Sequence, residues 1–179
     1  MNNTESFKNF ENPEDIFIKS STTYNDLISN IIPFDYTEQL NNLKTIEDFN
    51  IFNLVKLKKF TYNNTTFGIV HIQLKFFVKK NNYDFILDIL DKKIQDALDV
   101  SKTHSGINKL FILLDLSNIT QRNYSRKFMK LLANRFNVKY DDCLALCYIC
   151  GNLRFVKILW PFITTLIEKK TKKKLVLLK

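Results

Sequence analysis

The sequence predicts an α/β fold, a mostly parallel mixed sheet with flanking helices, entered through a short N-terminal helical lead-in. Three observations carry this. Two continuous apolar stretches, Leu110–Leu114 ending in Asp115 and Cys143–Cys150, have the length of strands buried on both faces, as parallel strands covered by helices are. Amphipathic segments of helical period alternate with the strands, and such alternation calls for crossover connections and a parallel sheet. Glycine and proline number only three each in 179 residues, too few for the frequent tight turns of a sandwich or barrel.

Taken in order, residues 1–20 are polar, with Asn2, Asn3, Asn9 and Asn12 around Pro13, and read as a loose arm. Tyr24, Leu27, Ile28, Ile31 and Ile32 recur at helical spacing before Pro33. A second helix is expected near Thr37, and Ile46 and Phe49 continue the helical pattern, so that residues 1–50 make up arm and lead-in. The character changes at Ile51. Phe52, Leu54, Val55, Leu57 and Phe60, then Phe67, Ile69, Val70, Ile72, Leu74, Phe76 and Val78, form two β-rich runs around Asn63-Asn64, which reads as a hairpin turn. Residues 82–101 place Phe85, Ile86, Ile89, Leu90, Ile94, Ala97 and Leu98 on one helical face, with Asp88, Asp91, Lys92, Lys93 and Asp96 mostly opposite. Leu110–Leu114 follows as a strand, Tyr124–Phe136 as a helix, Cys143–Cys150 as a strand, Phe155–Ile167 as a helix and Leu175–Leu178 as a closing strand.

The chain carries 27 basic against 18 acidic residues, a net charge of +9, which points to an anionic partner: membrane surface, phosphoinositide or nucleic acid. The charge is concentrated at one end, since Lys169–Lys179 holds six lysines and no acid. Three cysteines and no leader-like start indicate a reducing, cytoplasmic setting. No apolar run approaches the roughly 18–20 residues of a membrane span, so membrane contact is expected to be peripheral.

Enzymatic constellations are missing from the pattern. His71 sits inside a strand run and His104 beside a Ser-Gly turn, with nothing pairing them, so both read as surface or satisfied core residues. Cys143, Cys147 and Cys150 form C-x3-C-x2-C, but a strand turns Cys147 and Cys150 to opposite faces and a zinc site wants four tetrahedral ligands; buried free thiols and no metal are expected. No glycine-rich phosphate loop occurs. The run Lys169, Lys170, Lys172, Lys173 and Lys174 stands out; such runs are usually solvated surface, yet between a helix and a strand they can gather around phosphate. Nucleic acid is disfavoured because neither a reading helix nor exposed aromatics interleaved with bases are evident.

The stretch Trp160–Leu175 resembles the closing motif of the CRAL-TRIO lipid-binding family, in which a Trp-led helix passes through Lys-Pro-Phe-Leu-Asp into Thr-x-x-Lys-Ile and the last strand. Leu113–Asn118 is similar to that family's Asp-Leu-x-Gly strand end, and Asn137–Asn152 to its Tyr-Pro-Glu-Arg loop and the strand that follows. The resemblance, to the yeast-type phosphatidylinositol transfer proteins, implies a minimal or truncated member with a CRAL-TRIO-like core over residues 51–179. It implies no catalysis and no cofactor, with a bound phospholipid as ligand and transport or presentation of lipid as the task. By position, the inositol-phosphate ligands of the family fall at Thr171 and Lys174, with Lys170 and Lys173 beside them, and its loop acid falls at Asp141, or Asp142 with a one-residue slip. Leu110, Ile112, Leu114, Leu146 and Trp160 are the implied lipid-pocket residues. The hydroxyls that hold phosphatidylcholine in dual-specificity members fall at Leu110 and Ile112, which donate no hydrogen bond, so an anionic inositol lipid is the expected cargo. A second copy covering the shortened core, as a homodimer, and a protein-interaction scaffold of the small-GTPase-binding type with a vestigial pocket are the alternative expectations.

Overall fold

The computed structural model describes residues 24–32, 45–62, 65–140, 142–151, 156, 165–166 and 168–178. Helix α1 (Tyr24–Ser29) leads into a two-residue strand, β1 (Ile31–Ile32), and helix α2 (Ile46–Leu54) runs directly into β2 (Val55–Tyr62). There follow β3 (Thr65–Gln73), α3 (Tyr83–Ser105), β4 (Leu110–Leu116), α4 (Arg126–Arg135), β5 (Leu144–Gly151), the one-turn helix α5 (Lys169–Lys172) and β6 (Leu175–Leu177). The strands form one sheet in chain order, β1 to β6; β2 pairs antiparallel with both β1 and β3, and each later pair is parallel. This is the mixed, mostly parallel α/β sheet that the sequence predicts.

Several boundaries differ. Ile31 and Ile32 do not extend α1: they pair with Phe60 and Lys59 as an edge strand, for which their β-branched side chains suit them. Ile51, Phe52 and Leu54 belong to α2 and not to a strand, and the Asn53 Nδ2 donates to the Phe49 carbonyl at 2.8 Å one turn back. The expected lead-in boundary at residue 50 therefore lies inside a helix. Phe76 and Val78 leave the sheet because the chain turns through a 3-10 segment, Leu74–Phe76. There Asn123 Nδ2 donates to the carbonyls of Lys75 and Phe77 at 2.9 and 3.0 Å, in place of further ladder bonds. Tyr62 pairs with Thr65, as the hairpin requires, although Asn63 and Asn64 themselves lie outside the described residues. So do the arm at 1–20, the helix expected near Thr37, and the helix expected over Phe155–Ile167 apart from Val156, Thr165 and Leu166.

α3 is bounded by its own sequence. Asn82 Oδ1 accepts the Asp84 and Phe85 amides at 3.0 and 3.3 Å, and Gly106, at φ 71°, ends the helix in the left-handed conformation. Its buried face, Ile86, Leu90, Ile94 and Ala97, lies on one side of the sheet with Val70 and Ile72 of β3 and Ile112 and Leu114 of β4. Across the sheet, Phe60, Phe67, Ile69, Phe111, Leu113 and Tyr148 make a second core with Leu27 of α1 and Leu178. Phe111 lies edge-to-face with Phe60 and Phe67 at 5.5 and 5.2 Å.

Candidate functional site

On the α3–α4 side, the sheet floor and α4 enclose a small, partly open cavity of about 50 Å³. Ile72, Ile112, Leu114, Leu144, Cys147, Ile149 and Leu175 form its floor. α4 supplies the wall through Met129, Leu132 and Ala133, with Phe136 just beyond, at the i, i+3, i+4, i+7 spacing of one helical face. The Ser125 hydroxyl, accepting the Phe128 amide at 3.2 Å, starts that helix, and a π-turn over Phe136–Tyr140 ends it. Asn137 in this turn donates from Nδ2 to the Leu166 carbonyl at 3.1 Å and accepts the Glu168 amide at 3.4 Å, holding α4 against the approach to Thr171.

Thr171 is the hydroxyl-bearing residue of the cavity lining. It and Lys174 are 2% and 4% exposed, whereas Lys169, Lys170, Lys172 and Lys173 are exposed. Thr171 and Lys174 stand three residues apart on one tight turn, in which the Lys174 amide donates to the Thr171 carbonyl at 3.0 Å. Cys147 of β5 donates its amide to the Lys174 carbonyl at 2.8 Å, locking the turn to the sheet. Lys170 reaches back to Asp142 Oδ1 at 2.8 Å, an exposed pair. Asp141 and Trp160 lie outside the described residues.

Of the pocket residues expected from sequence, Ile112 and Leu114 line the cavity. Leu110 is buried in the same core without bordering the cavity, and Leu146 faces the opposite core. The reason for Leu146 is a bulge: Leu110 pairs with Leu144 but Phe111 pairs with Leu146, so Ala145 is an extra residue and the inward–outward alternation shifts by one. Beyond the bulge Cys147 and Cys150 do take opposite faces, as expected, and burial pushes both thiols up to about 12.

His71 is not unpaired. Its Nε2 lies 3.4 Å from Asp115 Oδ2 on the side of the sheet away from the cavity, with both residues buried. Burial pushes the His71 pKa down, against the pull of Asp115. Burial alone would raise the Asp115 carboxyl, but hydrogen bonds from His71 and from the Ser117 amide, the latter at 2.8 Å, hold it well below the carboxylate range. The pair is a neutral imidazole donating to a carboxylate, since an ionised carboxylate only accepts. Cys150 also bonds Asp115, yet a buried thiol at about 12 is no nucleophile, and the trio is remote from the cavity. Among the described residues no group of three or more His, Cys, Asp or Glu is placed to hold a metal ion, and no helix is long and apolar enough to cross a membrane.

A sheet floor, a helical wall, an apolar cavity and a buried Thr-x-x-Lys turn at its border are thus present together. The family model of the CRAL/TRIO domain matches residues 85–179, more than half of the chain. The chain belongs to the CRAL/TRIO domain family. Lipid binding is the activity of this family, and it is generally non-enzymatic. The crystal structure of Sfh5 is similar to this CRAL/TRIO domain at a TM-score of 0.61 and 18% identity, over 80% of this chain and 56% of that one. The likeness is one of fold, and the chain spans little more than half of that structure. No curated protein matches the chain.

Proposed function

We propose that this chain binds and transfers or presents a phospholipid with an anionic headgroup, phosphatidylinositol or a phosphoinositide, without making or breaking a bond. The observation that carries the reading is that Thr171, in the lining of an apolar cavity, and Lys174, three residues on in the same turn, are buried while Lys169, Lys170, Lys172 and Lys173 are exposed. Acyl chains enter by widening this apolar cavity between the sheet and α4, where each buried CH₂ contributes about 0.8 kcal/mol toward leaving a bilayer. Thr171 offers a hydroxyl and Lys174 an ammonium to a headgroup phosphate, with Lys170 and Lys173 exposed on the same turn. The lipid-binding core runs from α2 through β6, with the residues before α2 as its lead-in. The protein works in the cytoplasm, peripherally on anionic membranes.

Native mass spectrometry and lipid extraction of the purified protein test this. Co-purified phospholipid at close to one molecule per chain, with inositol lipids enriched over choline lipids, is the expected result. A folded protein that is empty and takes up no lipid from vesicles overturns it, in favour of a protein scaffold.

A further inference from the structure

Single exposed apolar side chains are ordinary on soluble proteins, but where β2 begins and β3 ends they are gathered. Phe49 of α2 is 48% exposed and meets Phe76 of the 3-10 turn edge-to-face, ring centroids 6.3 Å apart. Lys75 Nζ stands 5.0 Å from the Phe76 ring centre, and Lys56 Nζ 5.5 Å from that of Phe52. The chain continues through Val78, Lys79 and Lys80, all exposed, to Phe85, 53% exposed on the first turn of α3. This region lies at the carboxyl ends of the parallel strands, while the Thr171–Lys174 turn lies three strands across and toward their amino ends, roughly 20 Å away by strand spacing and rise.

We infer that Phe49, Phe76, Val78 and Phe85, with Lys75, Lys79 and Lys80, form a docking surface for an anionic lipid bilayer, separate from the Thr171–Lys174 turn. Half-exposed rings and a valine suit shallow insertion at the boundary of headgroups and acyl chains, and lysines around them meet acidic headgroups. The Lys75 ammonium stands over the Phe76 ring, and Lys79 and Lys80 are exposed beside Val78. Single-stranded nucleic acid fits less well, because bases stack on free ring faces, and here Lys75 stands over Phe76 and Lys56 over Phe52. The inference rests on the lipid-carrier reading, in that cargo exchange requires contact with a membrane.

The test is cosedimentation of the full chain with vesicles of phosphatidylcholine alone and of phosphatidylcholine with phosphatidylserine, alongside the lipid content of each purified variant. Binding is expected only to the mixed vesicles. Phe49→Ser and Phe85→Ser should each weaken it roughly tenfold, and Lys79→Gln with Lys80→Gln roughly 20-fold. All these side chains are substantially exposed, so the variants should keep the wild-type circular dichroism and the wild-type lipid content. Lys92→Gln with Lys102→Gln removes the same charge from exposed positions of α3 and should bind as the wild type does. Equal losses in this control and in the patch variants overturn the proposal. So does a concentration-dependent dimer that Phe49→Ser abolishes, or tight binding of a single-stranded oligonucleotide that the patch variants lose while vesicle binding persists. Patch-dependent vesicle binding by a chain that never holds lipid would sustain the docking surface while removing the carrier reading.

Discussion

His71 and Asp115 join neighbouring strands β3 and β4 through a buried 3.4 Å contact, in which a neutral imidazole faces a carboxylate. Because burial holds the His71 pKa below its ordinary 6.5, the unfolded chain takes up the proton first, and acid favours unfolding from about that pH downward. Asp115, held below its ordinary 3.8, contributes stability above that value that is lost as pH falls further. The melting temperature should therefore decline between pH 7 and pH 5, and His71→Gln should flatten that decline. An unchanged slope in the variant would assign the acid sensitivity elsewhere.

Gly68 is the point of closest approach between β3 and α3. A Cβ placed there would lie 2.1 Å from the Ala97 carbonyl oxygen, and that contact is backbone, which cannot step aside. Overpacking of this kind costs about 1–3 kcal/mol, so Gly68→Ala should lower the melting temperature by about 3–10 °C in a domain of this size. Ser101→Ala should cost a similar amount by another route, since the Ser101 hydroxyl accepts the Gly68 amide at 2.8 Å.

The thiols of Cys147 and Cys150, pushed up to about 12, should resist labelling by a thiol reagent at pH 8 in the native protein. At most one fast equivalent, from the half-buried Cys143, is expected, rising to three in guanidinium. Fast native labelling of Cys147 would show that the cavity floor opens to water.

Lys174 and the exposed lysines should separate in function. Loss of one charge-assisted contact is worth about 1.5–3 kcal/mol, so Lys174→Ala should reduce inositol-lipid transfer by roughly tenfold to over a hundredfold. Replacing Lys169, Lys170, Lys172 and Lys173 by Gln should instead weaken vesicle attraction at low salt, while the identity of the carried lipid stays the same. Matching behaviour of Lys174→Ala and any single exposed-lysine variant in both assays would refute the headgroup site.

The periodic elements were legible. α3 announces itself through a long 3.6-residue stripe, and β4 and β5 through apolar runs with no polar break. What escaped depends on pairing. Ile31–Ile32 and Ile51–Leu54 have side chains that suit either state, and only their neighbours decide which forms. The bulge at Ala145 leaves no mark in composition, and it turns Leu146, which the family resemblance implies for the pocket, to the opposite core. The contact of His71 with Asp115 spans 44 positions and follows from register alone.

The strand order repeats the chain order, and this makes the last ladder the weakest boundary of the cavity. β6 meets β5 over three residues, Leu175–Leu177, and Thr171 and Leu175 of the cavity lining both belong to that closing segment. Fraying from this edge opens a wall without disturbing β2 to β5, because no later strand is threaded between them. In the lipid carrier proposed above, those three rungs would set how long a guest stays, and it could leave while most of its host remained folded.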